Sequence, residues 1–360
     1  MIFSRTQGWI GVDIGTHSVK LAQVERRGSR VQLVEALSIP RQQPWPENDD
    51  AMADISSSQE IQAAISLGTR FRGRAAAVTL PMAVCDVRTC HVVGDTDSER
   101  RSAVSRELEL AHAEAAGPHT PTTREFDHWS VETPADQGLA TDNTIALSVP
   151  SSWASRVARD MREAGLIGHV LDGLPLAMAR AIALSMPSAS QPIAAIDWGH
   201  HRATLCLVVD GRPLFVRGLR GGGFQSVTTA LCKSLDVTAD EAQKLLYVHG
   251  LPNRTRGAVT DVQSVVEEVA REPLDRLVEE LGRTTSYLSQ QRRRIAPAKI
   301  VLMGGGAAVK NMAGYLDDRT ELPVETWHFD GAASTALHDR WLSIEMFGPA
   351  IALSSLAWTV

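Results

Sequence analysis

The sequence has few of the features that mark disulfide-linked, secreted or membrane-spanning proteins. It contains four cysteines and no CxxC pair, so we expect buried free thiols and not disulfides or a metal site. Its most apolar long stretch, residues 174–186, is interrupted by Arg180 and is shorter than the roughly 20 residues that span a bilayer. The first nine residues, MIFSRTQGW, lack the apolar core of a signal peptide. We therefore expect a cytoplasmic protein.

An excess of positive charge is also lacking. The net charge of −6 gives no electrostatic basis for nucleic acid as a main partner. The composition is that of an ordinary globular protein, with 44% hydrophobic and 22% charged residues. A chain of 360 residues suits two domains, each with a core of its own.

An internal repeat indicates how these two domains are built. WIGVDIGTHSVKLAQVE begins at Trp9, and IAAIDWGHHRATLCLVV begins at Ile193. Each copy reads as an apolar strand that ends in Asp, a turn with Gly two residues further on, and a second apolar strand that ends at another Gly turn. Because this pattern is typical of a β-hairpin, two copies predict two lobes of one topology.

The two hairpin turns have the residues of a phosphate site. Turns rich in Gly and Ser/Thr direct several backbone N–H groups to one side, where they bind phosphate oxygens. Thr16 and Ser18 add hydroxyl groups, and Lys20 adds a positive charge. Asp13 and Asp197 end the first strand of each hairpin, and Mg²⁺ is often held through one or two such carboxylates. Facing hairpins would therefore hold a triphosphate and its Mg²⁺.

Two triple-glycine segments follow, at 221–223 and 304–306. The second comes directly after an apolar strand, and such a turn lets adenine or ribose-phosphate lie against bare backbone. It is neither a dinucleotide fingerprint, because a third spaced Gly is missing, nor a P-loop, because no Gly-Lys-Ser/Thr follows. The alternative is a tight strand-to-helix turn without a ligand. Thr238 and Glu241 have the spacing of a helix-capping box, and residues 349–358 are predicted to form a packed helix without a basic face.

The order of these segments resembles the actin-like ATPase superfamily: VDIGTHSVK, IDWGHHRATL, RGGGF, ADEAQKLL and VLMGGGAA. Within it the chain is similar to the PilM family of type IV pilus assembly proteins, which is related to FtsA. The resemblance implies an α/β fold with two duplicated lobes around a nucleotide cleft and an inserted small subdomain. The first lobe would comprise residues 1–85, 149–191 and 335–360, the insert 86–148, and the second lobe 192–334.

The resemblance also implies ATP and Mg²⁺ as cofactors. Mg²⁺ would be held, through water, by Asp13 and Asp197. The nucleotide-binding residues would be Asp13, Gly15, Thr16, His17, Lys20, Gly199, His200, Gly221, Gly222, Glu241, Lys244, Gly304, Gly305 and Gly306. Glu241 and Lys244, one helical turn apart, match positions that contact ribose, although a solvated Glu–Lys pair is the alternative.

Two departures from the family pattern bear on activity. His200 and His201 stand where small or polar residues are usual. His201 could donate to phosphate, or either histidine could block the site, and a modified phosphate loop is the favoured interpretation. A metal site that also includes His17 is a less favoured alternative. Leu174 stands where similar chains have Glu, and Asp172 is the only nearby carboxylate. Because water attack on a γ-phosphate needs a polar orienting group, we expect weak or no ATPase activity.

The predicted role is an ATP-binding adaptor of a type IV pilus or type II secretion-like assembly platform, peripheral to the inner membrane. The resemblance implies that the cytoplasmic tail of a PilN-like single-pass membrane protein binds between the insert and the first lobe. Other platform or motor subunits are possible partners, and the membrane would be reached only through a partner. The alternatives are an FtsA-like division or filament protein and a small-molecule kinase of the same superfamily, for which Asp172 is the only candidate catalytic residue.

Overall fold

A computed structural model gives the architecture of the chain, and the residues that it describes form three β-sheets. It describes residues 5–43, 56–94, 96–116, 123–131, 143–253, 259–291, 295–332, 337 and 342–358. Within these ranges no helix is both long and apolar enough to cross a bilayer. The four cysteines are free thiols, of which Cys90 and Cys206 are buried.

The first large sheet is formed by strands from the N-terminal half. They are β1 (Arg5–Gln7), β2 (Ile10–Ile14), β3 (Ser18–Arg27), β4 (Arg30–Pro40), β5 (Ala75–Leu80) and β9 (Ile167–Gly173). The order across the sheet is β4-β3-β2-β5-β9, and β1 pairs with β3 next to β2. The hairpins β2–β3 and β3–β4 are antiparallel, whereas β5 and β9 are added in parallel. Helices α1 (Ser58–Leu67) and α3 (Ser151–Glu163) supply buried residues to the core on one face of this sheet.

The second large sheet repeats this topology. Its strands are β10 (Ile193–Trp198), β11 (Ala203–Val209), β12 (Arg212–Leu219), β13 (Lys299–Met303) and β14 (Val324–Thr326). Their order is β12-β11-β10-β13-β14, again with two antiparallel pairs followed by two parallel ones. The helices of this half are α5 (Phe224–Leu235), α6 (Ala239–Val248), α7 (Asp261–Gln291) and α8 (Met312–Asp317). The duplicated topology predicted from the two hairpins is confirmed.

Two helices lie in a core that both sheets share. They are α4 (Leu174–Ser185) and α9 (Gly348–Ser354), and their buried side chains pack with residues of both sheets. A Cβ on Gly11 would lie 1.9 Å from the Ala350 carbonyl oxygen, so α9 can rest on β2 only because Gly11 is there. The Ser354 hydroxyl accepts from Val24 N at 2.9 Å and donates to Trp9 O at 2.5 Å. The C-terminal segment is therefore a packed helix, as its sequence predicts.

The third sheet is small and has the order β6-β8-β7. Its strands are β6 (Asp86–Cys90), β7 (Arg124–Ser130) and β8 (Thr144–Pro150), and the helix α2 (Asp97–Ala116) lies between β6 and β7 in the sequence. Val104 and Leu108 of α2 pack against Cys90 and Ala146 in a small core of their own. In addition, Trp129 Nε1 donates a hydrogen bond of 2.7 Å to the Pro213 carbonyl of β12. This subdomain is therefore attached to the second sheet.

Candidate nucleotide cleft

The turn between β2 and β3, here called the first loop (Asp13–Lys20), holds an ion pair. Asp13 and Lys20 are cross-strand partners in the hairpin, and Lys20 Nζ lies 3.1 Å from Asp13 Oδ2 with both side chains nearly buried. Gly15 N donates to Ser18 O at 3.0 Å. A Cβ on Gly15 would lie 2.7 Å from that oxygen, so this tight turn requires glycine.

Arg41 stabilises the first loop through hydrogen bonds. Its Nε donates to the Gly15 carbonyl at 2.7 Å, its Nη2 donates to Ser57 Oγ at 2.9 Å, and its backbone N donates to His17 O at 2.9 Å. Burial lowers the pKa of Arg41 to about 10, although Glu60 and Asp160 partly offset this effect. Arg41 was not predicted as a site residue, because its position just after β4 belongs to no sequence motif.

The turn between β10 and β11, here called the second loop (Asp197–Thr204), has the same shape. A Cβ on Gly199 would lie 2.8 Å from Arg202 O. The cross-strand partner of Asp197 is Thr204, where the first loop has Lys20. Phe224 N and Gln225 N donate to the carbonyls of the second loop at 3.0 and 2.8 Å, so the start of α5 is attached to this loop.

Glycines of both triple-glycine segments allow this loop to pack closely. A Cβ on Gly223 would lie 2.3 Å from His201 O. Gly304 has a φ of +88°, and a Cβ there would lie 2.4 Å from Asp197 Oδ1. A Cβ on Gly306 would lie 2.3 Å from the Trp198 ring. Three of the six glycines are therefore explained by the approach of neighbouring groups.

The two aspartates and Lys20 form one electrostatic unit. Burial raises the pKa of Asp197 to about 7; the negative charge of Asp13 adds to this effect and Lys20 opposes it. Burial by itself would lower the pKa of Lys20, but the carboxylates of Asp13 and Asp197 raise it overall. The positive charge of Lys20 therefore acts on the carboxylates of both loops.

Three imidazoles lie at the same place. The rings of His17 and His200 are stacked, with centroids 4.4 Å apart and planes 21° from parallel, and the ring of His201 is 5.1 Å from that of His200. Burial lowers the pKa of His17, and Asp240 partly offsets this effect. Burial and the neighbouring imidazoles lower the pKa of His200 to about 3. Among the described residues no group of three His, Cys, Asp or Glu could hold a metal ion.

A cavity of about 380 Å³ lies between the two loops. Of the residues predicted to bind nucleotide or metal, those that line it are Asp13, Gly15, Thr16, His17, Lys20, Asp197, Gly199, His200, Lys244 and Gly305. Those that do not are Gly221, Gly222, Glu241, Gly304 and Gly306. Gly304 and Gly306 instead make room for Asp197 and Trp198, and Gly222 lies next to Leu277.

Glu241 is placed as a helix cap. Its carboxylate accepts from Thr238 N at 2.9 Å and from Thr238 Oγ1 at 2.8 Å, which completes the predicted capping box. The other lining residues of α6 are Asp240, Gln243 and Tyr247. These three residues were not predicted from the sequence, although Tyr247 follows Lys244 at a spacing that shares one helix face. Tyr247 also donates to Gly305 O at 3.2 Å.

The end of β9 presents no carboxylate to the cavity. Asp172 accepts from Arg180 Nη1 at 2.7 Å and from Gly173 N at 3.0 Å, and burial raises its pKa despite the nearby Arg180. Leu174 lines the cavity instead. Water next to this wall would lack the polar group that orients it for attack on phosphate.

Comparison with known proteins identifies the fold and the family. A solved PilM-PilN type IV pilus biogenesis complex is 20% identical, with a TM-score of 0.71 over 97% of this chain and 98% of that chain. The ethanolamine utilization protein EutJ from Carboxydothermus hydrogenoformans is 13% identical, with a TM-score of 0.56 over 98% of this chain and 90% of that chain. The fold is that of the actin-like ATPases. Residues 11–337 match the family described as type IV pilus assembly protein PilM. The chain therefore belongs to the PilM family of type IV pilus assembly proteins.

Proposed function

We propose that this protein is a cytoplasmic ATP-binding adaptor of a type IV pilus or related inner-membrane platform. One observation carries this proposal: two glycine turns of the same shape face one cavity, and the Asp13–Lys20 pair and Asp197 lie between them. The lobe boundaries stay as proposed from the sequence, except that β8 runs past residue 148 to Pro150.

In the proposed complex the phosphates lie between the two loops, where turn N–H groups and Lys20 meet them. The adenosine lies toward α6, against Lys244, Tyr247 and Gly305, which line that end of the cavity. The carboxylates of Asp13 and Asp197 fit Mg²⁺, which prefers oxygen ligands and keeps most of its waters. When bound, Mg²⁺ would neutralise phosphate charge.

Hydrolysis is proposed to be weak or absent. Leu174 forms the wall, and Asp172 is held by Arg180, so the described cavity lining offers no carboxylate on that side to orient water. The same arrangement gives no support to a small-molecule kinase, which would need a catalytic Asp in the cleft.

The proposed partner is the cytoplasmic tail of a PilN-like membrane protein, which would bring the adaptor to the membrane. Support comes from the family and from the similar PilM-PilN complex. We place the tail along β9, which lies at the end of the first sheet and exposes Ile167 and Leu171 by 56% and 38%. The C-terminal end of β9 meets the insert, because a Cβ on Gly173 would lie 3.0 Å from the Leu147 side chain.

Two binding measurements test this function. Calorimetry with ATP and Mg²⁺ should detect binding to the unaltered chain and a loss of at least about tenfold in Lys20→Met. Fluorescence anisotropy with a labelled PilN-type tail peptide should detect binding that Leu171→Asp abolishes. Val262→Asp is the matched control, since Val262 is 39% exposed on α7. Failure of the unaltered protein to bind ATP, or the peptide in the presence of ATP, would refute the corresponding half of the proposal.

A further inference from the structure

The stack of His17 and His200 joins the two halves of the molecule. His17 lies in the turn of β2–β3 in the first sheet, and His200 lies in the turn of β10–β11 in the second. Their rings are 4.4 Å apart and nearly parallel. Face-to-face rings do not point their nitrogen lone pairs at a common centre, so this geometry is a packing contact and not a metal site.

The surroundings of the pair favour neutral rings. The charged and titratable groups that act on His17 are Asp240 of α6, His201 and Lys20, and those that act on His200 are His17 and His201. Only Asp240 favours protonation. Two imidazolium ions at stacking distance would repel each other, so the two rings are not both charged in the observed contact, and burial lowers the pKa of each ring.

Both rings also line the cavity between the loops, which is where a phosphate chain would lie. A phosphate chain would bring several negative charges into this space. A protonated imidazole donates from both ring nitrogens, and a charge-assisted hydrogen bond to phosphate is stronger than a neutral one. The same rings therefore suit two states, stacked on each other when neutral and bonded to phosphate when protonated.

We propose that His17 and His200 form a latch that joins the two phosphate loops in the free protein and opens onto the phosphates of a bound nucleotide with uptake of a proton. This inference rests on the proposed nucleotide site and adds the residues that couple it to pH. The proton comes from solvent and is held on imidazole while the nucleotide is bound.

The direction of the pH effect follows from linkage. If bound phosphate raises the pKa of an imidazole above its value in the free protein, nucleotide affinity is greatest at low pH and falls as pH rises through the pKa of the bound state. Each proton taken up gives about a tenfold change in the dissociation constant per pH unit in that range. Titration of the terminal phosphate itself is common to all variants and cancels in their comparison.

The experiment is calorimetric titration of ATP·Mg²⁺ into the full chain at three pH values between about 6.5 and 8.5, in buffers with different ionisation heats. We expect about one proton taken up by the unaltered protein. His17→Asn and His200→Asn should lose this proton uptake. They should also lose the part of the pH dependence of the dissociation constant that does not come from titration of the terminal phosphate. His328→Asn is the matched control, because His328 is exposed and does not line the cavity. It should behave as the unaltered protein does.

A second measurement needs no nucleotide. Amide hydrogen exchange at the first and second loops should be faster in His17→Asn and His200→Asn than in His328→Asn, while exchange in β5 and β13 stays the same. Binding of ATP with identical pH dependence in all variants, or loop exchange that neither substitution changes, would overturn the latch and leave the nucleotide site standing. No binding by the unaltered protein at any pH would overturn both.

Discussion

The first and second loops have one shape and two different electrostatic designs. In both, an Asp stands one residue before the end of a strand, and a Gly turn closes on a carbonyl three residues later. In the first loop, Lys20 stands across the hairpin from Asp13, and Arg41 supports the turn. In the second, Thr204 stands across from Asp197, and the support comes from Gly223, Gly304 and packing around Trp198.

This difference shows that a duplicated fold can keep its backbone while only one copy places a lysine across the hairpin from its aspartate. A single lysine neutralises Asp13 directly and reaches Asp197 only as a neighbouring charge. The first loop is therefore held by an ion pair and by hydrogen bonds from Arg41, and the second by hydrogen bonds from the start of α5 and by close contact of backbone with glycine. Substitutions that act on charge should distinguish the loops, and substitutions that add bulk should reveal their shared geometry.

The largest expected contrast is between the two aspartates in the metal-free, nucleotide-free protein. At pH 8, Asp197→Asn should increase the free energy of unfolding by about 3 kcal/mol, because ionising this buried carboxyl is unfavourable. Asp13→Asn should instead lower it by about 2 kcal/mol, because a buried ion pair is broken. Urea unfolding in buffer with EDTA measures both.

The pH dependence gives a check on this contrast. The pKa of Asp197 is raised from 3.8 to about 7, so the folded state favours the protonated carboxyl. The free energy of unfolding is therefore highest below about pH 4, and it falls as the pH rises to about 7. The advantage of Asp197→Asn should therefore appear over this window and level off above it. An advantage of equal size at pH 4 and pH 8 would contradict the assignment, as would stabilisation by Asp13→Asn.

The next effect concerns bulk at the second loop. In Gly223→Ala the new Cβ would lie 2.3 Å from a backbone oxygen of His201. Gly223 cannot move without disturbing the start of α5, and His201 cannot move without disturbing the second loop. We expect a loss of about 3 kcal/mol in the free energy of unfolding. Gly222→Ala is the matched control, because its Cβ would meet the end of the Leu277 side chain at 3.2 Å, and we expect a loss below about 1 kcal/mol. Equal losses in the two variants would show that loop packing is not the cause.

The repeated hairpin residues could be predicted from the sequence, whereas the residues that stabilise the two loops could not. Asp13, Gly15 and Lys20 were found because a β-hairpin places them at fixed spacings, and the duplicated sheets followed from the second copy of that spacing. Arg41 was missed because its contact with Gly15 depends on where β4 ends. Gly304 and Gly306 were assigned to a ligand from their pattern, and the structure adds that they make room for Asp197 and Trp198; a steric need of this kind is visible only in three dimensions.

Arg41 offers a smaller test, this time of the first loop. Arg41→Met keeps the apolar stem and removes the donors to Gly15 O and Ser57 Oγ, so two acceptors in a mostly buried region lose their partner. We expect a loss of about 2 kcal/mol in the free energy of unfolding. Relative to the unaltered protein, amide exchange should increase more in the first loop than in the second. Arg283→Met removes the ion pairs that the exposed Arg283 makes with Glu279 and Glu280. It should cost less than about 1 kcal/mol, because Arg283 is solvated and Glu280 keeps its pair with Arg217. If Arg41→Met increased amide exchange equally in both loops, Arg41 would not be the residue that stabilises the first loop.

The smallest effects should separate two residues one turn apart on α6. Lys244 lines the cavity, so Lys244→Met should weaken ATP binding by about threefold to tenfold, as expected for a partly solvated contact between an ammonium group and a phosphate or ribose. Glu241 caps the helix through Thr238, and hydrogen bonds from Thr238 lower its pKa. Glu241→Gln should leave ATP affinity unchanged and lower the melting temperature only slightly. The difference in melting temperature between this variant and the unaltered protein should vanish in acid, because the carboxylate of Glu241 then becomes protonated. Calorimetry with ATP and thermal melts of both variants decide the matter: a loss of affinity in Glu241→Gln comparable to that in Lys244→Met would place Glu241 at the ribose after all.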